Sequence, residues 1–221
     1  MEEENLLSEK LRLVLASASP RREELLRQIG FVPEILPSRV EEVVTRTEPN
    51  QVVMELSAQK AEEVAARLEK NEAAQTEKCA GSGEKASGER LTVIVGADTV
   101  VSIDGKILGK PADRDEAFVM LRSLQGRSHH VYTGVTLICN GRKRTFASET
   151  EVEVYPMTEE EIEHYVDSKD PMDKAGAYGI QGSFASYIKG IRGSYTNVMG
   201  LPVGRLYQEL KELLCSIGKQ L

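Results

Sequence analysis

This 221-residue sequence lacks any apolar stretch long enough to cross a bilayer, which takes about 20 residues. It also lacks the basic start and apolar segment of a secretory signal, because residues 1–10 are acidic and polar. We therefore expect a cytoplasmic protein with no membrane partner.

Cysteine and histidine are scarce, and their positions match no metal or catalytic motif. The three cysteines, Cys79, Cys139 and Cys215, are widely spaced and lack the CxxC or Cys/His pairing of zinc sites, so we expect reduced structural thiols. The three histidines show no triad-like spacing, and GxSxG and HExxH are missing. Chemistry would then depend on carboxylates, cations and a divalent metal, the usual set for attack of water on phosphorus.

Aromatic residues and net positive charge are also lacking. Aromatics make up 5% of the chain, and the formal net charge is −7. Proteins that coat nucleic acids neutralise phosphates with basic side chains and stack bases on aromatic rings. We expect no nucleic acid partner, but a local basic pocket is compatible with this composition.

The most informative segment that is present is a strand-turn-helix transition, Ser17-Ala18-Ser19-Pro20-Arg21-Arg22. We predict Ser19 as the N-cap and Pro20 as the first helical residue. Arg21 and Arg22 then stand at the positive end of the helix dipole, where acidic residues are more stabilising. Backbone N–H groups, hydroxyls and guanidiniums together suit a multiply charged anion such as phosphate. Two exposed arginines on a surface helix are the alternative.

A carboxylate, Asp98, interrupts the apolar strand predicted over residues 91–103. An isolated charge there would cost on the order of several kcal/mol, so we expect Asp98 to be paired, hydrogen-bonded or metal-bound. Gly96 and Ala97 remove bulk beside it, and we expect them to let a ligand approach the backbone. The alternative is an aspartate that caps a turn at a strand end.

Two lysines are further candidates. Lys60 lies on the apolar stripe of a helix predicted to begin near Pro49, where it either snorkels to solvent or projects into a cleft. Lys110 ends a hairpin that turns at Asp104-Gly105. It is either an ordinary edge-strand lysine or, if the hairpin folds back, a neighbour of Asp98.

A glycine-rich segment over residues 171–182 carries a charge pair, three regularly spaced glycines and the amide of Gln181. It matches neither the Walker A motif nor a dinucleotide fingerprint. Gln181 could read the edge of a base, and a purely structural loop is equally compatible with the pattern.

Alternation of strands and helices, together with several antiparallel hairpins, predicts an α/β fold with a mixed sheet. Capping patterns predict further helices after Asp113 and Thr158, and a terminal helix from Pro202. A late strand is expected at residues 185–191. Residues 69–90 have no apolar periodicity and predict a helix tail followed by a mobile loop without chemistry.

Five motifs, in order, resemble those of the Maf family of nucleoside triphosphate pyrophosphatases over residues 13–206. They are Ser17-Ala18-Ser19-Pro20-Arg21-Arg22, Gln59-Lys60-Ala61, Gly96-Ala97-Asp98-Thr99, Gly109-Lys110-Pro111 and residues 173–182. The resemblance implies an elongated mixed sheet flanked by helices, with two lobes and a central cleft, as in inosine triphosphatases. It implies one domain over residues 1–221, with its core at 11–206 and an insertion at 69–90. Phe184, where relatives often have glycine, is expected near the pocket rim.

The last motif is similar to that of the branch acting on dTTP and UTP. The resemblance thus implies hydrolysis of dTTP, UTP or modified pyrimidine nucleotides between the α and β phosphates, with Mg²⁺ or Mn²⁺, and it allows a homodimer. Asp98 would be the proton acceptor or a metal ligand, with Glu42 and Glu41 also holding the metal. Substrate ligands would be Ser17, Ser19, Arg21, Arg22, Lys60, Lys110 and Lys174, and base selection would fall to Arg21, Thr99 and Gln181.

The alternative function is a nucleotide- or nucleic-acid-binding regulator of cell division without significant turnover. A pure anion binder has no need of a carboxylate such as Asp98, which would repel a polyanion unless a metal were bound.

Overall fold

The computed structural model describes residues 7–78 and 90–218, and its centre is a seven-stranded mixed sheet flanked by helices. The strands are β1 (Leu11–Leu15), β2 (Glu34–Ile35), β3 (Leu91–Ile103), β4 (Lys106–Leu108), β5 (Ser128–Cys139), β6 (Arg142–Val154) and β7 (Ile188–Arg192). The helices are α1 (Pro20–Gln28), α2 (Pro49–Lys78), α3 (Arg114–Leu124), α4 (Glu159–Asp167), α5 (Tyr195–Val198) and α6 (Val203–Ser216). Short 3₁₀ helices cover Asp170–Asp173, Ala175–Ala177 and Ser183–Tyr187.

The sheet has the order β2-β1-β3-β5-β6-β7, and β4 pairs with the far end of β3. β1 is parallel to both β2 and β3, whereas the pairs from β3 to β7 are antiparallel. The hairpins turn at Asp104-Gly105 and Asn140-Gly141, where all four residues have positive φ, as tight two-residue turns require. The predicted α/β class with a mixed sheet is confirmed.

Helix α2 lies directly on the sheet because two strand residues facing it have no side chain. A Cβ on Gly96 would stand 2.3 Å from the carbonyl oxygen of Ser57, and one on Gly134 would stand 2.2 Å from that of Val53. The expectation that Gly96 opens the backbone to a ligand is therefore wrong, because a helix occupies that space. Ala97 is buried in the core on the opposite face, since successive strand residues alternate.

Two of the buried apolar clusters each contribute side chains to the lining of the cavity described below. One packs α1 and α6 against β1, β3 and β5, and the other packs α3 and α4 around the far end of β3. Phe184 is fully buried in the second cluster, with its ring centroid 5.0 Å from that of Tyr165 and 4.7 Å from that of Tyr178. Phe184 is thus a core residue rather than part of the pocket rim.

Boundaries differ from expectation in two places. Residues 183–187 form a 3₁₀ helix, so the late strand begins at Ile188 and not at residue 185. Helix α2 continues to Lys78, which confirms the helix tail, whereas the loop predicted after it, including Cys79, lies outside the described residues. Within 7–78 and 90–218, no helix is long and apolar enough to cross a membrane.

A buried histidine joins β5 to the glycine-rich segment. His129 is 1% exposed, and its Nε2 lies 2.7 Å from the hydroxyl of Tyr178, which lines the cavity. Burial lowers the pKa of His129 to about 4, so the ring is neutral near pH 7.

This burial predicts a pH-dependent stability. The unfolded chain binds the histidine proton with a pKa near 6.5, so the contribution of His129 is fully present above that pH and is lost as pH falls towards about 4. This contribution of His129 to the free energy of unfolding is at most about 3 kcal/mol. The free energy of unfolding, measured by urea denaturation, should therefore fall less steeply between pH 7 and pH 4 in His129→Gln than in the wild type. The exposed His164→Gln is the control and should keep the wild-type slope. Identical slopes for His129→Gln and wild type would contradict the assignment.

Candidate functional site

A cavity of about 940 Å³ lies between the first turn of α1, the middle of β3 and residues 170–182. Its lining includes eleven of the twelve residues singled out from the sequence: Ser17, Ser19, Arg21, Arg22, Glu42, Lys60, Asp98, Thr99, Lys110, Lys174 and Gln181. Glu41 is the exception, and it is solvent-exposed.

The first turn of α1 forms one wall. Ser19 occupies the N-cap position and Pro20 the first helical position, as predicted, but the Ser19 side chain makes no capping hydrogen bond. The Ser19 backbone N–H instead donates to Ser17 Oγ at 3.2 Å. Because the first N–H groups of a helix have no intrahelical acceptor, this wall offers donors to an anion.

Arg22 is a fixed cation in that wall. Its Nε donates to the Gly200 carbonyl at 2.9 Å, and its Nη1 donates to Ser17 Oγ at 2.9 Å. Its Nη2 donates to Thr99 Oγ1 at 3.2 Å. Burial lowers the pKa of Arg22, and the nearby charge of Asp98 opposes this shift. Since a guanidinium carries five N–H donors, two remain for a ligand.

Opposite this wall, Lys60 joins two carboxylates. Its Nζ lies 2.5 Å from Asp98 Oδ1 and 3.0 Å from Glu42 Oε1. The Lys60 and Asp98 side chains are only 15% and 14% exposed. Lys60 therefore projects into the cleft rather than snorkelling to solvent, and the expectation that Asp98 is paired is confirmed.

Gln59, which sequence reasoning left without a role, positions Glu42. Its side chain accepts from the Val43 N–H at 3.0 Å and donates to the Val43 carbonyl at 2.6 Å. One helical turn earlier, Glu55 accepts from the Thr45 N–H at 2.9 Å. These contacts hold the segment that carries Glu42 along α2, beside Lys60.

The same segment explains why Glu41 lies elsewhere. Glu42 pairs with Lys60, whereas Glu41, the preceding residue, is exposed and lies outside the cavity lining. The geometry therefore does not support Glu41 as a metal ligand. The signal that could have identified Gln59 was its position beside Lys60 in the second motif.

Lys174 lines the cavity but is fully engaged within its own segment. Its Nζ donates to the Asp170 carbonyl at 2.5 Å, to Asp170 Oδ1 at 3.0 Å and to Asp173 Oδ1 at 2.7 Å. An ammonium has three donors, so Lys174 braces the segment and is not available to phosphate.

Two other contacts connect the walls. Arg21 reaches across the cavity mouth to Asp173 Oδ2, 3.4 Å away. Burial opposes ionisation of Asp173, but Lys174 and Arg21 together lower its pKa.

The Gly109 carbonyl accepts from the Gly176 N–H at 2.9 Å, which places Lys110 in the lining. Over 7–78 and 90–218, Lys110 has no ion-pair partner within 4.0 Å.

The carboxylates fit a divalent cation bound together with a phosphate ligand. Among the described residues, no group of three metal-ligating side chains occurs. Asp98 and Glu42 nevertheless converge on one cation, the Lys60 ammonium. Mg²⁺ is usually held by only one or two protein carboxylates and completes its octahedron with water and phosphate oxygens.

A second cavity of about 640 Å³ lies beside β6 and the first turn of α2. Its cations are already paired: Arg144 with Glu209 and Glu212, and Arg205 with Glu209. Its lining carries only these two cations against three carboxylates, Glu48, Glu149 and Glu209, so this cavity offers little to a polyanion.

Comparison with known proteins finds similar sequences over nearly the whole chain. The family model described as Maf-like protein matches residues 12–213. A dTTP/UTP pyrophosphatase of Agathobacter rectalis is 52% identical over 208 residues, covering 91% of this chain and 97% of that protein. One of Carboxydothermus hydrogenoformans is 47% identical, covering 91% and 98%, and one of Lachnoclostridium phytofermentans is 42% identical, covering 95% and 99%.

The close approach of α2 to β3 predicts that Gly96→Ala will displace the helix that carries Lys60. The new methyl group would collide with the backbone of Ser57 and Ala61, so we expect a loss of at least about 2 kcal/mol in the free energy of unfolding. Gly190→Ala is the matched control, because a Cβ added at Gly190 would meet nothing within 4 Å. Chemical denaturation should show the difference, and equal losses in both variants would contradict this packing.

Proposed function

This chain belongs to the Maf-like protein family, and we propose that it hydrolyses UTP and dTTP to the nucleoside monophosphate and pyrophosphate. One observation carries the proposal: Lys60 joins Asp98 and Glu42 across a cavity from the first turn of α1, with its two arginines. The relatives named dTTP/UTP pyrophosphatase support the choice of base.

The lining carries five cations against four carboxylates, Glu42, Asp98, Asp170 and Asp173. A divalent ion would therefore also be needed to balance a bound triphosphate, which carries about four negative charges. Arg21, Arg22, Lys60 and Lys110 all line the cavity, and together they supply charge that one helix terminus cannot. Ser17 adds a donor. Its oxygen accepts from the Ser19 N–H and from Arg22, so its own hydrogen is available to a phosphate oxygen.

A divalent ion, Mg²⁺ or Mn²⁺, would be held by Asp98 and Glu42, and it would stabilise the charge that develops on the departing pyrophosphate. Lys60 keeps both carboxylates oriented and offsets their repulsion of the substrate. Asp98 acts as proton acceptor for the attacking water or as a metal ligand, and both roles place it at the reacting phosphorus.

The nucleobase would be selected by Arg21, Thr99 and Gln181, which line the same cavity. The Gln181 amide carries an NH₂ donor, so it can donate to a carbonyl oxygen on the pairing edge of uracil or thymine.

The test of this proposal is product analysis with dTTP, UTP, CTP, GTP and 7-methyl-GTP in the presence of Mg²⁺. We expect UMP and pyrophosphate from UTP, and the corresponding products from dTTP. Release of orthophosphate without pyrophosphate would contradict the bond assignment. Binding without any product would instead favour a regulator that lacks turnover.

Asp98→Asn should keep the fold but lower kcat by at least about 100-fold. The neutral amide cannot accept the proton, and it is a weaker metal ligand than a carboxylate. Asp104→Asn is the control. Asp104 is an exposed hairpin residue 2.7 Å from Arg127 and lies outside the cavity, so this variant should turn over normally. Near-normal turnover by Asp98→Asn would exclude the assigned role.

A further inference from the structure

A chain of hydroxyl groups runs from the cavity into the interior. Thr99 Oγ1 in the lining lies 2.9 Å from Thr133 Oγ1 on β5. Thr133 Oγ1 lies 3.0 Å from the backbone carbonyl oxygen of Asn197 on α5. Thr133 and Asn197 are both 0% exposed, so water does not compete for these hydrogen bonds.

The direction of each hydrogen bond in this chain follows from counting hydrogens. A carbonyl oxygen only accepts, so Thr133 must donate its single hydroxyl hydrogen to Asn197. The contact between the two threonines must then be donated by Thr99. Arg22 cannot accept, so it donates to Thr99, which has no hydrogen left for a ligand. Thr99 thus offers the cavity only an acceptor.

Ser17 has the opposite polarity, although it contacts the same arginine. Its oxygen accepts twice, and its hydrogen remains to be donated. A phosphate oxygen needs a donor and is repelled by a bare lone pair. Ser17 therefore suits the triphosphate, whereas Thr99 suits a ligand group that carries an N–H or O–H.

We propose that Thr133 is a positioning residue that sets base preference, because it fixes Thr99 as an acceptor for the N3–H of uracil or thymine. This inference rests on the proposed function. N3–H is the only hydrogen-bond donor on the pairing edge of these two bases. Cytosine carries a lone pair at N3, and two acceptors facing each other in a desolvated site are unfavourable.

The variant that tests this role is Thr133→Val, which keeps the shape of the side chain and removes its hydroxyl. Thr99 can then turn its hydrogen into the cavity and donate to N3 of cytosine. We expect the ratio of kcat/KM for UTP to that for CTP to fall roughly five- to tenfold, the effect of one hydrogen bond. Thr133→Ser restores the hydroxyl and should restore the ratio.

Thr136→Val is the matched control. Thr136 is also a fully buried β5 threonine, and its hydroxyl contacts Ser57 and Thr145, each at 3.0 Å, away from the cavity. It should lower stability and leave the UTP/CTP ratio unchanged. Should Thr133→Val fail to fold, Thr133→Cys has the same expectation, since a thiol is a weak donor and acceptor.

An unchanged UTP/CTP ratio in a folded Thr133→Val or Thr133→Cys protein would overturn the inference and leave the proposed function intact. Equal falls in this ratio for the Thr133 and Thr136 variants would also overturn it, because a general packing effect would then suffice. Wild-type protein that turns over neither UTP nor dTTP would overturn the proposed function and this inference with it.

Discussion

The contact of Lys60 with Asp98 and Glu42 is the interaction on which the rest of the site depends. Asp98 stands in the middle of an apolar strand, where an unpaired carboxylate would be strongly destabilising. Lys60 reaches it because Gly96 lets α2 lie against β3. Two carboxylates and a cation are thereby fixed at one point of the cavity, facing the donors of α1.

Much of this arrangement could be predicted from the sequence. The features that could not be predicted share one physical cause. The strand-turn-helix at residues 17–22, the hairpin at Asp104-Gly105 and the pairing of Asp98 depend on local pattern or on the cost of burying charge. Gly96 and Gln59 were misread or overlooked because their partners lie on other elements. Lys174 was expected to bind phosphate, since residue type alone does not show that its donors are already taken.

Hydrogen-bond polarity divides the cavity into two parts that its composition alone would not distinguish. Ser17 and Thr99 are both hydroxyl residues in contact with Arg22. Their environments leave Ser17 with a hydrogen to donate and Thr99 with only a lone pair that can accept. Buried polar groups on β5 and α5 thus shape what the surface of the cavity can recognise, although they never touch a ligand.

The central claim, that this cavity holds the triphosphate, is tested most directly by a crystal structure of the Asp98→Asn protein with UTP and Mg²⁺. The account predicts the phosphates between the first turn of α1 and Lys60, within hydrogen-bond distance of Arg22, and the uracil N3–H against Thr99. A nucleotide bound elsewhere, for example in the cavity beside β6, would contradict it.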